Sequence, residues 1–214
     1  MNIILFGATG QIGQQVLKQA LERGHKVTAF VREPSKIEVT HPNLTIKQGD
    51  ARTSQAVAEA MPGHDAVVNA MGPGGPGVSD QFLDILTEGS HCIAEAMQSA
   101  RIKRIVALGS AGTLQAVPDQ LVRDVPNFPP FARNISGAHL QAWKTYEAAG
   151  LNWTVVCPPA VVESGERTGN YRLATDYMVE MGAMLKIATG DLADFILNEV
   201  EQGKHIGHRV NIAY

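Results

Sequence analysis

The sequence is poor in the features that would direct it to a membrane, a nucleic acid or an oxidising compartment. No apolar run approaches the ~20 residues needed to cross a bilayer. The first residues, Met1-Asn2-Ile3-Ile4-Leu5-Phe6, lead at once into glycine, without a basic start, a long apolar stretch or a cleavage site. A signal peptide is therefore not expected. Charge of one sign is not in excess: 18 Lys and Arg stand against 21 Asp and Glu, a formal net charge of -3. With no run of like charge either, neither nucleic acid nor an anionic membrane is an expected partner. Only two cysteines occur, Cys92 and Cys157, and they read as buried thiols rather than a disulfide. A cytoplasmic address is the expectation. His205 and His208 lack a Cys, Asp or Glu at metal-ligand spacing, so no metal site is expected. Internal repeats and low-complexity segments are also missing.

What is present is an ordinary globular composition, 44% hydrophobic and 18% charged over 214 residues. That is enough to build a core, and residues 1–214 read as one domain. Short stretches at residues 3–6, 26–31, 44–47, 66–70, 105–108, 153–157 and 209–213 suit strands, and the continuous apolar run at 3–6 is of the kind covered on both faces. Between the first two, Ile12, Val16, Leu17, Ala20 and Leu21 repeat at helical spacing, and Gly24 stands where a C-terminal cap would. Further helices fit residues 55–60, 80–100, 136–149 and 192–200. Strand and helix alternate throughout, which predicts an α/β fold: a doubly wound parallel sheet, helices on both faces, right-handed crossovers. Two irregular stretches, 112–135 and 160–190, follow the fifth and sixth strands. They should lie at the carboxyl edge of the sheet, where such folds bind ligands, as substrate-side loops forming a small cap.

The turn Gly7-Ala8-Thr9-Gly10-Gln11-Ile12-Gly13 follows the first strand and opens the first helix. Gly7 permits the tight turn, Gly10 lets the backbone approach a pyrophosphate, and Gly13 lets the helix pack on the strand. Thr9, Gln11 and Ile12 belong to the same cradle, where the helix N-terminus offers free N–H groups and a partial positive charge. This is the Rossmann dinucleotide turn in its proper context. The second strand ends Phe30-Val31-Arg32, with Arg32 placed 19 residues after Gly13. A NAD-selective site carries Asp or Glu at this point to hold the ribose 2′-hydroxyl. Arginine cannot accept from a hydroxyl, but its planar fork suits a 2′-phosphate. NADP(H) is therefore the expected cofactor, with NAD(H) as the alternative. Asp50, at the end of the third strand, could accept from the adenine amino group and also cap the helix that follows. Ala51 beside it joins the cofactor-binding set.

Phe6 to Gly13, Val31-Arg32, Gly49-Asp50, Ser110-Ala111 and Pro158-Pro159 together resemble the atypical short-chain dehydrogenase/reductases. The chain is most similar to the biliverdin reductase B/flavin reductase branch, with the NmrA-like proteins nearby. The likeness runs from Ile3 to about Phe195, strong through the nucleotide half and looser after residue 112. It implies a Rossmann fold, NADP(H) binding and hydride transfer to flavins or similar flat conjugated acceptors. It also implies that the loop Ala70-Met71-Gly72 lies near the cofactor, although the glycine-proline stretch after it departs from the family pattern. By the same resemblance Ser110 lies near the nicotinamide and the Pro158-Pro159 backbone borders it. His139 and Lys144 match a His and a Lys that this branch carries on the helix before the sixth strand. His139 is then a candidate proton donor and Lys144 a candidate contact to the cofactor ribose.

Most enzymes of the wider superfamily use a Tyr-x-x-x-Lys pair, in which the lysine lowers the tyrosine pKa for proton exchange with an alcohol or carbonyl. Four residues after Tyr146, Tyr171 and Tyr177 stand Gly150, Thr175 and Met181, and Tyr214 is the last residue. The pair is absent, which counts against alcohol dehydrogenases, sugar epimerases and dehydratases of the usual type. Reduction of a flavin or quinone asks less: the cofactor carries the hydride and the protein positions two rings. A proton can come from solvent or from the Ser110 hydroxyl. The expectation is an NADPH-dependent reductase of a flavin, quinone or similar small-molecule acceptor, monomer or homodimer, with Ser110 and His139 as catalytic candidates. A non-catalytic NADP-binding sensor of the NmrA-like kind fits the missing tyrosine equally well.

Overall fold

The computed structural model describes residues 1–73 and 82–214. The first half alternates β1 (Asn2–Phe6), α1 (Gln11–Glu22), β2 (Lys26–Val31), β3 (Leu44–Gln48), α2 (Ser54–Ala60), β4 (Ala66–Asn69), α3 (Asp84–Ala100) and β5 (Arg104–Leu108). The second half adds a short hairpin of β6 (Gln115–Val117) and β7 (Gln120–Leu121), then α4 (Pro130–Ala148) and β8 (Asn152–Cys157). It closes with β9 (Val161–Glu163), β10 (Arg172–Thr175), β11 (Lys186–Ala188), α5 (Thr189–Gln202) and β12 (His208–Ala213).

The eight-stranded sheet has the order β3-β2-β1-β4-β5-β8-β12-β10. Every pairing is parallel except that of β10 with β12. Successive strands step one way from β1 to β3 and the other way from β4 to β8, so the order reverses between β1 and β4. A crevice opens at the carboxyl ends of such a pair. Strand residues alternate between the two faces, and both are apolar. Leu5, Val16, Leu17, Phe195 and Ile196 share one cluster, which includes residues of α1 and α5. Ile4, Phe6, Met61, Ile93 and Trp153 share the other, with residues of α2, α3 and α4.

Several boundaries differ from the sequence pattern. Helix α3 begins at Asp84 rather than at residue 80, which lies outside the described residues, as do positions 74–77 of the glycine-proline stretch. Helix α4 begins six residues early, at Pro130, where a missing N–H costs nothing in the first turn. The stretches 112–135 and 160–190 are more regular than expected, since they hold the β6–β7 hairpin, the parallel β9–β11 pair and edge strand β10. Cys92 and Cys157 are free and buried. Among the described residues no helix is long and apolar enough to cross a membrane, and no group of three His, Cys, Asp or Glu could hold a metal ion.

Candidate functional site

The turn between β1 and α1 has three glycines with different reasons to be there. Gly7 has φ +82°, and a Cβ on it would lie 2.5 Å from the carbonyl carbon and oxygen of Ala70. Only glycine tolerates both. A Cβ on Gly13 would fall 2.0 Å from the Gly7 oxygen, so its absence lets α1 seat on the turn. Gly10 is extended, at φ -78° and ψ 162°, and among the described residues a Cβ there would meet only the Gly7 oxygen, at 3.5 Å. Protein packing thus requires glycine at 7 and 13 but not at 10, which is exposed. The amide of Gly10 bonds the Gly7 carbonyl at 3.1 Å, and that of Gln14 bonds Gly10 at 2.9 Å. The amides of Gln11, Ile12 and Gly13 open the helix without an intrahelical acceptor, and Gly10 supplies no side-chain cap. Thr9 is half-buried and accepts from Gln14 Nε2 at 3.2 Å. An open Cβ position above a row of uncommitted amides fits a diphosphate.

Beyond the end of β2, Arg32 is exposed, and its guanidinium has no hydrogen bond or ion pair among the described residues. Its carbonyl accepts from Gln48 Nε2 at 3.1 Å. Asp50 holds Arg52 in a fork, 2.6 Å from Nη2 and 3.0 Å from Nε, and accepts from the Arg52 amide at 2.9 Å. Hydrogen bonding to Arg52 brings the Asp50 carboxyl down to about 2, with Arg32 adding to the effect. Arg52 reaches on to Asp84 at 2.7 Å. The expected capping role for Asp50 is corrected here: the N-cap of α2 is Thr53, and the carboxylate anchors Arg52 instead. Ala51 is buried, and its Cβ lies 3.7 Å from where a Cβ on Gly89 would be.

The ends of β4, β5 and β8 come next. Ala70 N–H bonds Phe6 at 2.9 Å, and Met71 N–H bonds Asn69 Oδ1 at 3.0 Å. Asn69 Nδ2 donates to the Tyr146 hydroxyl at 2.7 Å, which donates to Ser90 Oγ at 2.7 Å. Burial raises the pKa of this phenol. Tyr146, the tyrosine of α4, is thus fully committed inside the core. Among the described residues nothing lies within 4 Å of a Cβ built on Gly72. Ser110 is half-buried and starts a tight turn, its Oγ accepting from Gly112 N–H at 3.2 Å and its carbonyl from Thr113 Oγ1 at 2.7 Å. Its hydroxyl proton has no acceptor among the described residues. Burial pushes the neighbouring Cys157 thiol up to about 12. Pro158 is half-buried and Pro159 buried.

His139 and Lys144 occupy different faces of α4. His139 is buried with its ring facing the Leu108 backbone, and among the described residues Nδ1 has no partner. Burial pushes its pKa down to about 4, so it is neutral near pH 7. Lys144 is exposed beside Leu140, Gln141 and Ala148, whereas His139, Ala142 and Tyr146 form the buried stripe. Asn69, Arg209 and Asn211 escaped the sequence reading. Their one signal is a polar residue within or at the end of an otherwise apolar strand.

A model of the NAD(P)H-binding family matches residues 7–202. The uncharacterised protein YwnB of Bacillus subtilis is 31% identical over 220 residues, covering 99% of this chain and 98% of its own. Among solved structures, a candidate epimerase from Bacteroides thetaiotaomicron superposes with TM-score 0.86 at 30% identity, over 100% of this chain and 96% of its own. A candidate NADH-flavin reductase from Streptococcus pneumoniae gives 0.84 at 26% identity, over 100% and 99%. These two neighbours bear the names of different reactions, so likeness alone does not choose between them. The cofactor class does not depend on that choice: by its phosphate turn, its strand order and the match from Gly7 onward, this chain belongs to the NAD(P)H-binding family, as a Rossmann-type NAD(P)-binding protein.

Proposed function

We propose that the chain is an NADPH-dependent reductase of flat conjugated acceptors, a flavin or a quinone. The observation that carries this reading is the commitment of the Tyr146 phenol to Asn69 and Ser90, with no lysine paired to it. A carbonyl or sugar substrate needs a positioned acid, whereas a flavin or quinone takes its proton from solvent or a nearby hydroxyl. Exposed apolar side chains support an apolar acceptor: Val117, Phe131, Tyr177, Met181 and Met184 all fall in the stretches 112–135 and 160–190, which we assign to the acceptor side.

In this reading Gly7, Gly10 and Gly13, with the amides of Thr9, Gln11 and Ile12, hold the pyrophosphate. Arg32 holds the 2′-phosphate, and Asp50 with Ala51 borders the adenine. Ala70, Met71 and Gly72 on one side, and Pro158 and Pro159 on the other, frame the nicotinamide. When bound, the dinucleotide supplies the hydride. The Ser110 hydroxyl donates a hydrogen bond to the nicotinamide or to the acceptor. His139, neutral and tied to Leu108, supports the Ser110 turn rather than delivering a proton. Lys144, on the exposed face of α4, is left outside this set.

The test mixes the protein with NADPH and either FMN or menadione, and follows the near-ultraviolet absorbance of the reduced nicotinamide. Acceptor-dependent loss of that absorbance, faster with NADPH than with NADH, is the expected result. Tight NADPH binding without it would replace the reductase by a non-catalytic NADP sensor.

A further inference from the structure

Strand β12 carries Arg209 and Asn211 two residues apart, hence on one face, while Val210 and Ile212 join the apolar cluster on the other. Arg209 is 6% exposed and Asn211 0%. Apolar side chains would satisfy packing here, and burying Arg or Asn costs desolvation unless their polar groups are paired. Asn211 Nδ2 donates to the Cys157 carbonyl at 2.7 Å, and its Oδ1 accepts from Val179 N–H at 2.9 Å. The Arg209 guanidinium donates to the Thr113 carbonyl, lies 4.2 Å over the Trp143 ring and places Nε 3.5 Å from Asp176. Asp176 completes the tie: its carboxylate accepts from Arg209 N–H at 3.0 Å and contacts His208 Nδ1 at 2.7 Å. Its own amide bonds the Arg209 carbonyl at 2.7 Å, and its carbonyl accepts from Gln115 N–H at 2.8 Å.

Two neighbouring side chains on one strand therefore hold three separate segments by their backbones. These are the turn after Ser110, the Cys157–Pro158 peptide and the stretch 176–179. The Cys157 carbonyl matters most, since Pro158 has no N–H with which to anchor itself. We propose that Arg209 and Asn211 are positioning residues that set the spacing between the 176–179 segment and the nicotinamide floor, and so select which acceptor can stack there. This inference rests on the nicotinamide site proposed above.

Three variants test it: Asn211→Ala, Arg209→Lys and Asp176→Asn. The last spares the backbone, because Asp176 has φ +62° and asparagine accepts that conformation. NADPH affinity should stay within about twofold, because the phosphate turn lies on other strands. The kcat for FMN or menadione should fall by about 100-fold through misplacement, the preference between the two should shift, and amide exchange over residues 172–185 should quicken while β1 and α1 stay protected. Unchanged kcat, KM and acceptor preference, with only a lowered Tm, would make these residues structural and overturn the inference with the reductase intact. If the wild type binds NADPH but reduces neither acceptor, the reductase reading fails alone. The fluorescence of bound NADPH then decides: shifted emission at unchanged affinity upholds positioning, and identical emission in all variants overturns it. No NADPH binding at all would remove both.

Discussion

Gly10→Ala separates cofactor binding from folding, because the protein itself has room for the added methyl. The backbone at Gly10 is extended, and among the described residues the new Cβ would meet only the Gly7 oxygen, at 3.5 Å. Two small stability terms oppose each other. The unfolded chain loses freedom, a gain of about 0.4–1 kcal/mol. Alanine caps α1 less well than glycine, a loss of about 1 kcal/mol. Stability should therefore change by less than about 1 kcal/mol. Binding should respond differently, since the methyl occupies the space above the free amides. Losing two charge-assisted hydrogen bonds at about 1.5 kcal/mol each costs ~3 kcal/mol, or about 100-fold in Kd. Gly13→Ala is the contrast: its Cβ would fall 2.0 Å from the Gly7 oxygen, and overpacking of that kind should destabilise by at least about 2 kcal/mol. Urea denaturation measures the first effect and calorimetric titration with NADPH the second. If Gly10→Ala binds NADPH like the wild type, the diphosphate does not lie on this turn. If it unfolds, the packing argument is wrong.

Arg32→Ala should weaken NADPH by about 10- to 100-fold and leave NADH nearly untouched, since the exposed guanidinium makes no hydrogen bond or ion pair among the described residues and would be spent on the 2′-phosphate; equal losses in parallel titrations would remove that contact. Tyr146→Phe deletes a buried hydroxyl bonded to Asn69 and Ser90 and should cost about 1–3 kcal/mol in urea while turnover persists. A fall in kcat of about 100-fold at unchanged fold would instead make the phenol a proton donor. His139→Gln should remove an acid sensitivity. Burial lowers the folded pKa from the ordinary 6.5 to about 4, so between those values the unfolded chain binds a proton that the folded one refuses. Stability then falls as pH drops through this window, by up to about 3 kcal/mol. A glutamine variant with the same acid slope over that range would refute it.

The central parallel strands β1, β4, β5 and β8 were legible because each is a largely apolar run buried on both faces, and runs of that kind have few other folded solutions. Strand β10, Arg172-Leu173-Ala174-Thr175, was not, since it is mostly exposed at the sheet edge and exists by pairing with β12. The start of α4 was hidden for a related reason. Phe131 is 77% exposed, and the buried stripe on which a helical period depends begins only at Ser136. Within the candidate site, Gly7 and Gly13 answer local geometry, so their spacing could be read directly. Asn69, Arg209 and Asn211 answer partners far along the chain: Tyr146 is 77 residues from Asn69, Thr113 is 96 from Arg209, and Cys157 is 54 from Asn211. No periodicity encodes such pairings. All three nonetheless interrupt or border apolar runs, Asn69 ending its strand, Arg209 preceding the apolar residues of β12 and Asn211 lying among them, and each is bonded to a loop beside the proposed nicotinamide position. A polar residue in or at the end of a parallel strand has to answer for its desolvation, and loops at the carboxyl edge offer backbone partners that a core does not. In a fold of this kind such an interruption marks where the scaffold grips its site, one step back from the residues that touch the cofactor.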